Sequence, residues 1–344
     1  MCGIAGYTTI GSDREIDPRF IDPMIQSIYH RGPDECGTLV DRQIAMGNSR
    51  LSIIDLAGGK QPISNSDNTI HIVYNGELYN APELTRELKS KGYVFRTKTD
   101  TEVLVHLYEE EGEKFVSRLN GMFAFCIYDE RKDQVMIGRD RFGVKPLVYS
   151  YQNGTLLFGS ELKSLKIHPD FDATLDPQGI STFLGLFYIP DPWTIYKNVK
   201  KLRPGHYLTL SKSGLKDVEY FDYSLSKKIN ISLREAEDQT AFLLRQSIER
   251  QLLSDVPVGV LLSGGLDSRS VLAAASAQNP NTDAFTITFS ESIYNEGGEA
   301  GYWARAFSSA HHSMLFTEED FLRLLMKRQA HLDEPYALWC NVAT

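Results

Sequence analysis

The chain has 344 residues, of which 42% are hydrophobic and 24% are charged, and its formal net charge is −9. This composition is that of an ordinary folded protein and excludes extended disorder, and the length favours two domains over one. The negative charge disfavours broad binding to nucleic acid or to anionic membranes, so we expect small-molecule chemistry.

The chain shows no targeting or membrane signal. Its longest apolar runs, such as residues 256–262, are far shorter than the roughly 20 residues of a membrane span, and its first residues lack the basic region of a signal peptide. The cysteines have no CxxC spacing, which predicts neither a disulfide framework nor a zinc site: they are Cys2, Cys36, Cys126 and Cys340. We therefore expect a cytoplasmic protein with reduced thiols.

The first 220 residues alternate short β-branched or aromatic runs with Gly, Asp and Asn turns, a pattern typical of sheets. Strands are predicted at residues 70–74, 122–129, 134–138, 147–151 and 156–159. Helices are predicted at residues 81–91 and 101–111. The turns that follow Asp129 and Gln152 are typical of hairpins. The first domain is therefore predicted to be mixed α/β with antiparallel sheets.

The pattern changes after Tyr223. An amphipathic helix is predicted at residues 233–252, followed by strands at 256–262, 284–289 and 311–315 that alternate with helices at 269–277, at 299–307 and from Thr317. Thr317 and Asp320 are a predicted capping pair. Such alternation indicates parallel strands with crossover helices, a doubly wound α/β sheet. We place the domain boundary near residues 224–234.

Cys2 is a candidate nucleophile. If the initiator methionine is removed, the α-amino group of Cys2 titrates at about 7.7–8.0, close to the thiol at about 8.5, so the amine can act as the thiol's base. Considered alone, Cys2 is more typical of a small buried residue at the start of a strand.

Several motifs in order resemble the class II glutamine amidotransferases, which are N-terminal-nucleophile hydrolases, and within them the glutamine-hydrolysing asparagine synthetases. The motifs are Cys2-Gly3-Ile4, His30-Arg31-Gly32-Pro33-Asp34, Arg50-Leu51-Ser52-Ile53-Ile54-Asp55, Tyr74-Asn75-Gly76-Glu77-Leu78 and Thr99-Asp100-Thr101-Glu102. Later segments agree, such as Arg139-Asp140-Arg141-Phe142-Gly143 and Phe158-Gly159-Ser160-Glu161. The resemblance implies an N-terminal-nucleophile sandwich at residues 2–223 and an incomplete ATP-pyrophosphatase domain at 234–344.

The resemblance also assigns a glutamine site. It implies that Cys2 is the nucleophile and that Asn75 and Gly76 stabilise the oxyanion, a task that a side-chain amide and a backbone N–H can perform. An Asn-Gly hairpin turn is the alternative interpretation of that dipeptide. Substrate carboxylate and ammonium groups would be held by Arg50 and by Glu77 and Asp100, and the implied glutamine-binding set also includes Leu51, Ser52, Ile53 and Ile54. Asn48 stands where many relatives have a histidine.

A second motif, Ser263-Gly264-Gly265-Leu266-Asp267-Ser268, follows an apolar run and precedes a predicted helix. Glycines, free backbone N–H groups and a helix N-terminus together favour phosphate binding. The motif resembles the pyrophosphate loop of ATP pyrophosphatases. That resemblance implies an ATP site in which Asp267 lies near the Mg²⁺. The residues implied for the ATP site are Leu261, Ser263, Gly264, Gly265, Leu266, Asp267, Ser268 and Ile287. Arg269 either contacts phosphate or points to solvent.

The predicted function is glutamine-dependent asparagine synthesis from glutamine, aspartate and ATP with Mg²⁺, without nucleic-acid or membrane partners. The sequence does not determine the oligomeric state, and a homodimer is kept as an expectation. Two alternatives stay open: amidation of another carboxylate, and a non-catalytic regulatory protein on this fold. Residues 332–335 resemble an acceptor-side segment, and the second domain is expected to be truncated.

Overall fold

The structure, a computed structural model, describes residues 2–226, 228–291, 293, 295–307 and 309–336. These residues form two compact units. The first comprises residues 2–223 together with 333–336, and the second comprises residues 224–332. Cys2, Cys36 and Cys126 are free thiols, and Cys340 lies outside the described residues.

The described residues of the first unit contain twelve strands. They are β1 (Gly3–Thr8), β2 (Glu35–Asp41), β3 (Ile44–Arg50), β4 (Ile63–Ser64), β5 (Ile70–Leu78), β6 (Gly121–Asp129), β7 (Gln134–Arg139), β8 (Val148–Gln152), β9 (Thr155–Gly159), β10 (Lys200–Lys201), β11 (His206–Ser211) and β12 (Gly214–Glu219). The accompanying helices are α1 (Ile21–Ser27), α2 (Ala81–Ser90), α3 (Asp100–Glu111), α4 (Leu162–Leu165) and α5 (Pro177–Leu186).

The strands form two six-stranded antiparallel sheets, in the orders β10-β8-β9-β1-β3-β2 and β12-β11-β7-β6-β5-β4. Successive side chains of a strand point to opposite faces, and both faces of each sheet are covered. In β1, Ile4 joins a core between the two sheets, whereas Tyr7 packs with helix α1. In β5, Val73 faces the inter-sheet core, whereas Ile72 and Tyr74 pack against α2 and α3. The first unit is therefore a four-layer αββα sandwich.

This architecture confirms the predicted α/β class with antiparallel sheets in the first part. Each of the five predicted strands and both predicted helices is present, shifted by a few residues at most. The Asn153-Gly154 turn joins β8 to β9 with positive φ angles of 51° and 76°, as a two-residue hairpin requires. The predicted elements did not include strands β1–β4 and β10–β12 or helices α1, α4 and α5. The β1 and β3 strands are buried on both faces, so they lack the alternating pattern that marks a half-exposed strand.

The second unit contains α6 (Leu233–Gln251), β13 (Gly259–Leu261), α7 (Leu266–Gln278), β14 (Asp283–Phe289), α8 (Gly297–Ala306), β15 (Ala310–Phe316) and α9 (Glu318–His331). Its three strands are parallel and lie in the order β13-β14-β15. Predicted strand 256–262 shortens to three residues, since Pro257 cannot donate a ladder hydrogen bond. The predicted cap is confirmed, because Thr317 and Asp320 form a reciprocal capping box.

None of the helices in the described part of the chain has the length and apolar character that crossing a bilayer requires.

Candidate active site

The Cys2 thiol lies directly before β1, beside the end of β3. Its Sγ is 3.4 Å from the backbone N of Leu51 and 3.5 Å from the Leu51 carbonyl oxygen. Arg31 donates from Nε to the Cys2 carbonyl oxygen at 3.0 Å. Burial raises the pKa of the Cys2 thiol, and the Leu51 hydrogen bond opposes that shift. The sulfur is therefore held in place, and it needs a nearby base to ionise.

The His30–Asp34 motif supports the residues that follow β3. A Cβ atom on Gly32 would lie 2.4 Å from the Arg50 carbonyl carbon and 2.5 Å from the Ser49 oxygen, so only glycine allows this approach. Ser49 Oγ donates to the Gly32 carbonyl oxygen at 2.7 Å. The Asp34 carboxylate accepts from the backbone N of Ser52 at 2.8 Å. The motif thereby fixes the chain on both sides of Arg50.

The Arg50 guanidinium is 5% exposed and already has protein partners. Its Nη2 donates to the carbonyl oxygens of Ile54 and Asp55 at 3.1 and 2.7 Å. Its Nη1 makes longer contacts, 3.4 Å to Glu35 and 3.5 Å to the Leu56 carbonyl oxygen. These four contacts match the four hydrogens of the two terminal nitrogens, so a substrate carboxylate on Arg50 would exchange with the weaker Nη1 pair.

Asn75 and Gly76 lie inside β5, opposite Ala124 and Phe123 of β6. The alternative interpretation of this dipeptide as a hairpin turn is therefore wrong. A Cβ atom on Gly76 would lie 2.4 Å from the Met122 carbonyl oxygen and 2.7 Å from the Tyr74 hydroxyl. The Asn75 amide is buried, and neither its nitrogen nor its oxygen has a hydrogen-bond partner among the described residues. Such a group is costly unless a ligand or water satisfies it.

Glu77 and Asp100 form a pair of carboxylates at the cavity. Burial, followed by the nearby charge of Asp100, raises the pKa of Glu77 to about 8, while Lys145 acts in the opposite direction. Burial also raises the pKa of Asp100, although that carboxylate accepts from the Leu78 backbone N at 2.8 Å and from the Thr99 hydroxyl at 3.2 Å. Two buried carboxylates of this kind favour a bound cation.

One cavity brings most of the predicted glutamine residues together. Its empty space of about 310 Å³ includes open solvent at its mouth. Its lining includes the predicted residues Cys2, Arg50, Leu51, Ile53, Ile54, Gly76, Glu77 and Asp100. The predicted residues Ser52 and Asn75 adjoin the lining without being part of it.

Four further residues line the cavity although no glutamine-binding role was predicted for them: Gln61, Tyr74, Thr99 and Thr101. Gln61 is buried and bridges two elements: its Oε1 accepts from the Tyr74 backbone N at 2.7 Å, and its Nε2 donates to the Thr101 hydroxyl at 3.4 Å. Thr99 and Thr101 flank the predicted Asp100. The positions of Thr99 and Thr101 next to Asp100 could therefore have predicted that they line the cavity. No neighbouring sequence feature indicates the same for Gln61.

The glycine-rich loop of the second unit joins β13 to α7, as predicted. Ser263 Oγ and Ser268 Oγ lie 2.9 Å apart, and the Gly265 backbone N donates to Ser263 Oγ at 3.1 Å. The backbone N of Gly264 donates to the Glu296 carboxylate at 2.8 Å. One backbone N–H group of this loop therefore already donates a hydrogen bond to a carboxylate of the protein.

The remaining predicted ATP residues are on β13, α7 and β14. Leu261 and Leu266 are largely exposed, and Ile287 is half-buried on β14. Asp267 stands in the first turn of α7. Arg269 does not simply point to solvent: it donates to the Gly265 carbonyl oxygen at 3.1 Å, pairs with Glu299 at 3.5 Å and stacks on Trp303, with its guanidinium carbon 4.8 Å from the ring centre. The alternative, a phosphate contact, stays a prediction.

No cluster of three or more metal-ligating side chains occurs in the described residues. The position of Asp267 beside the glycine-rich loop is compatible with Mg²⁺, because this ion is commonly held by one or two carboxylates together with substrate phosphates.

The predicted acceptor-side segment contacts residues of the first unit. Asp333 accepts from the backbone N of Leu162 and, at 3.2 Å, from that of Lys163. Glu334 accepts from the Ile195 backbone N at 2.7 Å and pairs with Lys201 at 2.7 Å. These carboxylates are thus bound to protein groups.

Comparison with known proteins identifies the family of the chain. Residues 1–221 match the glutamine amidotransferase domain family, and residues 239–344 match the asparagine synthase family. The putative asparagine synthetase [glutamine-hydrolyzing] 2 of Methanocaldococcus jannaschii is 34% identical, over 100% of this chain and 70% of the relative. The chain belongs to the glutamine-hydrolysing asparagine synthetase family.

Other relatives were found. The asparagine synthetase [glutamine-hydrolyzing] 3 of Bacillus subtilis (strain 168) is 35% identical over 94% of this chain and 55% of the relative. The amidase chry2 of Gibberella zeae is 32% identical over 80% of this chain and 43% of the relative. A solved glutamine phosphoribosylpyrophosphate amidotransferase from B. subtilis has a TM-score of 0.48 and 18% identity, covering 91% of this chain and 65% of that chain. The chain spans about half the length of several curated relatives that it matches.

Proposed function

We propose that residues 2–223 form a glutaminase domain and that residues 234–344 belong to an ATP-pyrophosphatase domain, which together serve glutamine-dependent asparagine synthesis. The observation that carries this proposal is the cavity in which the Cys2 thiol, the Arg50 guanidinium and the Glu77–Asp100 pair meet. A thiol, a fixed guanidinium and paired carboxylates match the amide, carboxylate and ammonium groups of free glutamine.

Glutamine binding follows from these charges. The substrate carboxylate takes the place of the long Nη1 contacts of Arg50, at 3.4 and 3.5 Å, while the short Nη2 contacts keep the guanidinium in place. The substrate ammonium lies against Glu77 and Asp100. It favours their ionised forms, so glutamine binding near neutral pH releases a proton from the pair.

Hydrolysis then proceeds at Cys2. Removal of Met1 frees the Cys2 α-amine, which takes the thiol proton, and the thiolate attacks the amide carbon of glutamine. The Asn75 amide and the Gly76 backbone N–H stabilise the oxyanion, which gives the buried, unpaired Asn75 amide a partner. The protonated amine returns its proton to the leaving nitrogen, ammonia departs, and water converts the γ-glutamyl thioester to glutamate and free thiol.

The second unit supplies the acceptor. In this proposal the ATP phosphates displace the Glu296 carboxylate from the Gly264 backbone N. Asp267 would help to hold a Mg²⁺ ion, which would neutralise phosphate charge. Aspartate is converted to aspartyl-adenylate with release of pyrophosphate, and ammonia displaces AMP to give asparagine. A cytoplasmic location and a homodimer remain parts of this proposal.

A second candidate is amidation of another carboxylate by the same architecture. The likeness to a protein named as an amidase favours testing it. ATP-dependent pyrophosphate release with aspartate, compared with a panel of other carboxylates, separates the two candidates. Release that depends on another carboxylate, and not on aspartate, would replace the asparagine assignment.

The central experiment measures glutamate release from glutamine by the purified chain, with the intact mass of the N-terminus determined in parallel. We expect loss of Met1 and glutamine turnover that Cys2→Ala abolishes. Cys36→Ala, which removes an exposed thiol outside the cavity, is the matched control and should keep full activity. An active Cys2→Ala protein contradicts the nucleophile assignment. A retained Met1 without turnover supports the non-catalytic alternative.

A further inference from the structure

Two loops deliver the charged groups of the glutamine cavity. Residues 51–59 follow Arg50 and contribute Ile53 and Ile54 to the lining, whereas residues 96–99 precede Asp100. Asp55 belongs to the first loop and contacts the second. Its carbonyl oxygen accepts from Arg50 Nη2 at 2.7 Å, and its carboxylate accepts from the backbone N of Lys98 at 2.8 Å. Asp55 is not part of the cavity lining.

The Asp55 backbone shapes the turn that encloses the guanidinium. Its φ angle is 52°, in the left-handed region where Asp, Asn and Gly are best tolerated. The Asp55 carbonyl oxygen also accepts from the Gly59 backbone N at 3.1 Å, and Asp55 Oδ1 accepts from Gly58 N at 3.0 Å. A Cβ atom on Gly59 would lie 2.2 Å from Arg50 Nη2, so the turn closes directly against the guanidinium.

The loop of residues 96–99, which contains Lys98, is held in place by hydrogen bonds. The Glu102 carboxylate accepts from the backbone N of Arg96 at 2.8 Å and from that of Thr97 at 2.7 Å. Asp100 begins α3 and accepts from the Leu78 backbone N in the neighbouring strand. The backbone N of Lys98 therefore belongs to a segment that hydrogen bonds hold in place. Through its hydrogen bond to this N, the Asp55 carboxylate links the 51–59 loop to that segment.

We propose that Asp55 is a positioning residue that fixes the carboxylate-binding loop, and with it the Arg50 guanidinium, against the anchored ammonium-binding end of the cavity. This inference rests on the proposed glutaminase function. In this inference Asp55 sets the distance between the carboxylate-binding end and the ammonium-binding end of the cavity. The site would therefore select substrates that carry both an α-carboxylate and an α-ammonium. Loss of the carboxylate should weaken binding through Arg50 and leave the Cys2 chemistry in place.

The kinetic test uses Asp55→Gly, which keeps the left-handed backbone and removes the carboxylate. We expect the KM for glutamine to rise about 10-fold with kcat changed less than about 2-fold, the pattern of lost binding that is equal in ground and transition states. Asp55→Asn keeps one acceptor oxygen and should recover part of the loss. Asp133→Gly is the matched control, because Asp133 also has a positive φ, 46°, and lies outside the cavity lining.

The substrate dependence distinguishes positioning from general damage. 4-Aminobutanamide has the amide and ammonium groups of glutamine and lacks the α-carboxylate, so it makes no use of Arg50. Its KM, or its inhibition constant against glutamine, should change less than about 2-fold in Asp55→Gly, which lowers the preference for glutamine about 10-fold. Equal weakening for both compounds, or an unchanged KM for glutamine, overturns the inference.

Hydrogen exchange tests the attachment without turnover. In Asp55→Gly the amides of Lys98 and Gly58 should exchange about 10-fold faster, while α3 keeps its protection. A wild-type protein that lacks glutaminase activity contradicts the proposed function. In that case, unchanged exchange at Lys98 would separately overturn the role of Asp55, and faster exchange would uphold the attachment.

Discussion

Replacing Glu77 by glutamine tests whether the buried carboxylate pair destabilises the ligand-free protein at alkaline pH. Burial and the charge of Asp100 raise the pKa of Glu77 from an ordinary 4.5 to about 8. Below pH 4.5 the group is protonated in both the folded and the unfolded chain and contributes nothing. Between pH 4.5 and 8 the unfolded chain ionises while the folded protein stays protonated, so the free energy of unfolding falls as pH rises.

The size of the effect follows from this shift. Moving a pKa from 4.5 to about 8 corresponds to roughly 5 kcal/mol once the group ionises fully in both states. Glu77 lies at the wall of an open cavity, where solvent reduces that penalty, so we expect about 2 kcal/mol. Glu77→Gln should therefore be more stable than wild type by about 2 kcal/mol at pH 9 and equal to it at pH 4.5.

Urea unfolding of the ligand-free protein across this pH range measures the difference. Glu83→Gln is the control, because Glu83 is exposed in the first turn of α2 and should change stability by less than about 0.5 kcal/mol at every pH. The same Glu77→Gln protein should bind glutamine more weakly, since half of the ammonium site is lost. A pH-independent stability difference between Glu77→Gln and wild type would refute the reasoning.

Two further substitutions address the ends of the cavity. Arg50→Lys keeps the positive charge and loses the planar fork, so the KM for glutamine should rise roughly 10- to 100-fold with little change in kcat; unchanged saturation kinetics would show that Arg50 does not hold the substrate. Gly76→Ala places a Cβ atom 2.4 Å from the Met122 carbonyl oxygen, so thermal unfolding should show a loss of about 1–3 kcal/mol together with lower kcat; wild-type stability would mean that β5 and β6 separate easily.

Much of the site was predictable because its chemistry depends on residue types in order along the chain. Three features of the sequence supply chemical groups that glutamine binding and hydrolysis require. They are the cysteine at position 2, Arg50, and the segment Asn75-Gly76-Glu77. The structure places these groups around one cavity, with the exception that Asn75 and Ser52 stand beside the lining. Their catalytic and binding roles stay predictions until the substitutions are made.

The sequence was ambiguous or silent where a long-range contact decides the local structure. Asn75-Gly76 has the composition of a turn, yet pairing with β6, nearly 50 residues later, holds it extended. The β1 and β3 strands were missed because helices cover one face and the second sheet covers the other.

Side-chain partners show the same limit. Arg269 was expected at phosphate or in solvent, and its stacking on Trp303 depends on α7 and α8 lying together. The Gln61–Thr101 and Asp55–Lys98 hydrogen bonds form only when segments 40 or more residues apart meet. The sequence by itself determined which functional groups are present and those helices and strands whose local pattern is clear. Only the tertiary structure decided their partners, because hydrogen bonds and charge pairs act over a few ångströms of space, whatever the separation along the chain.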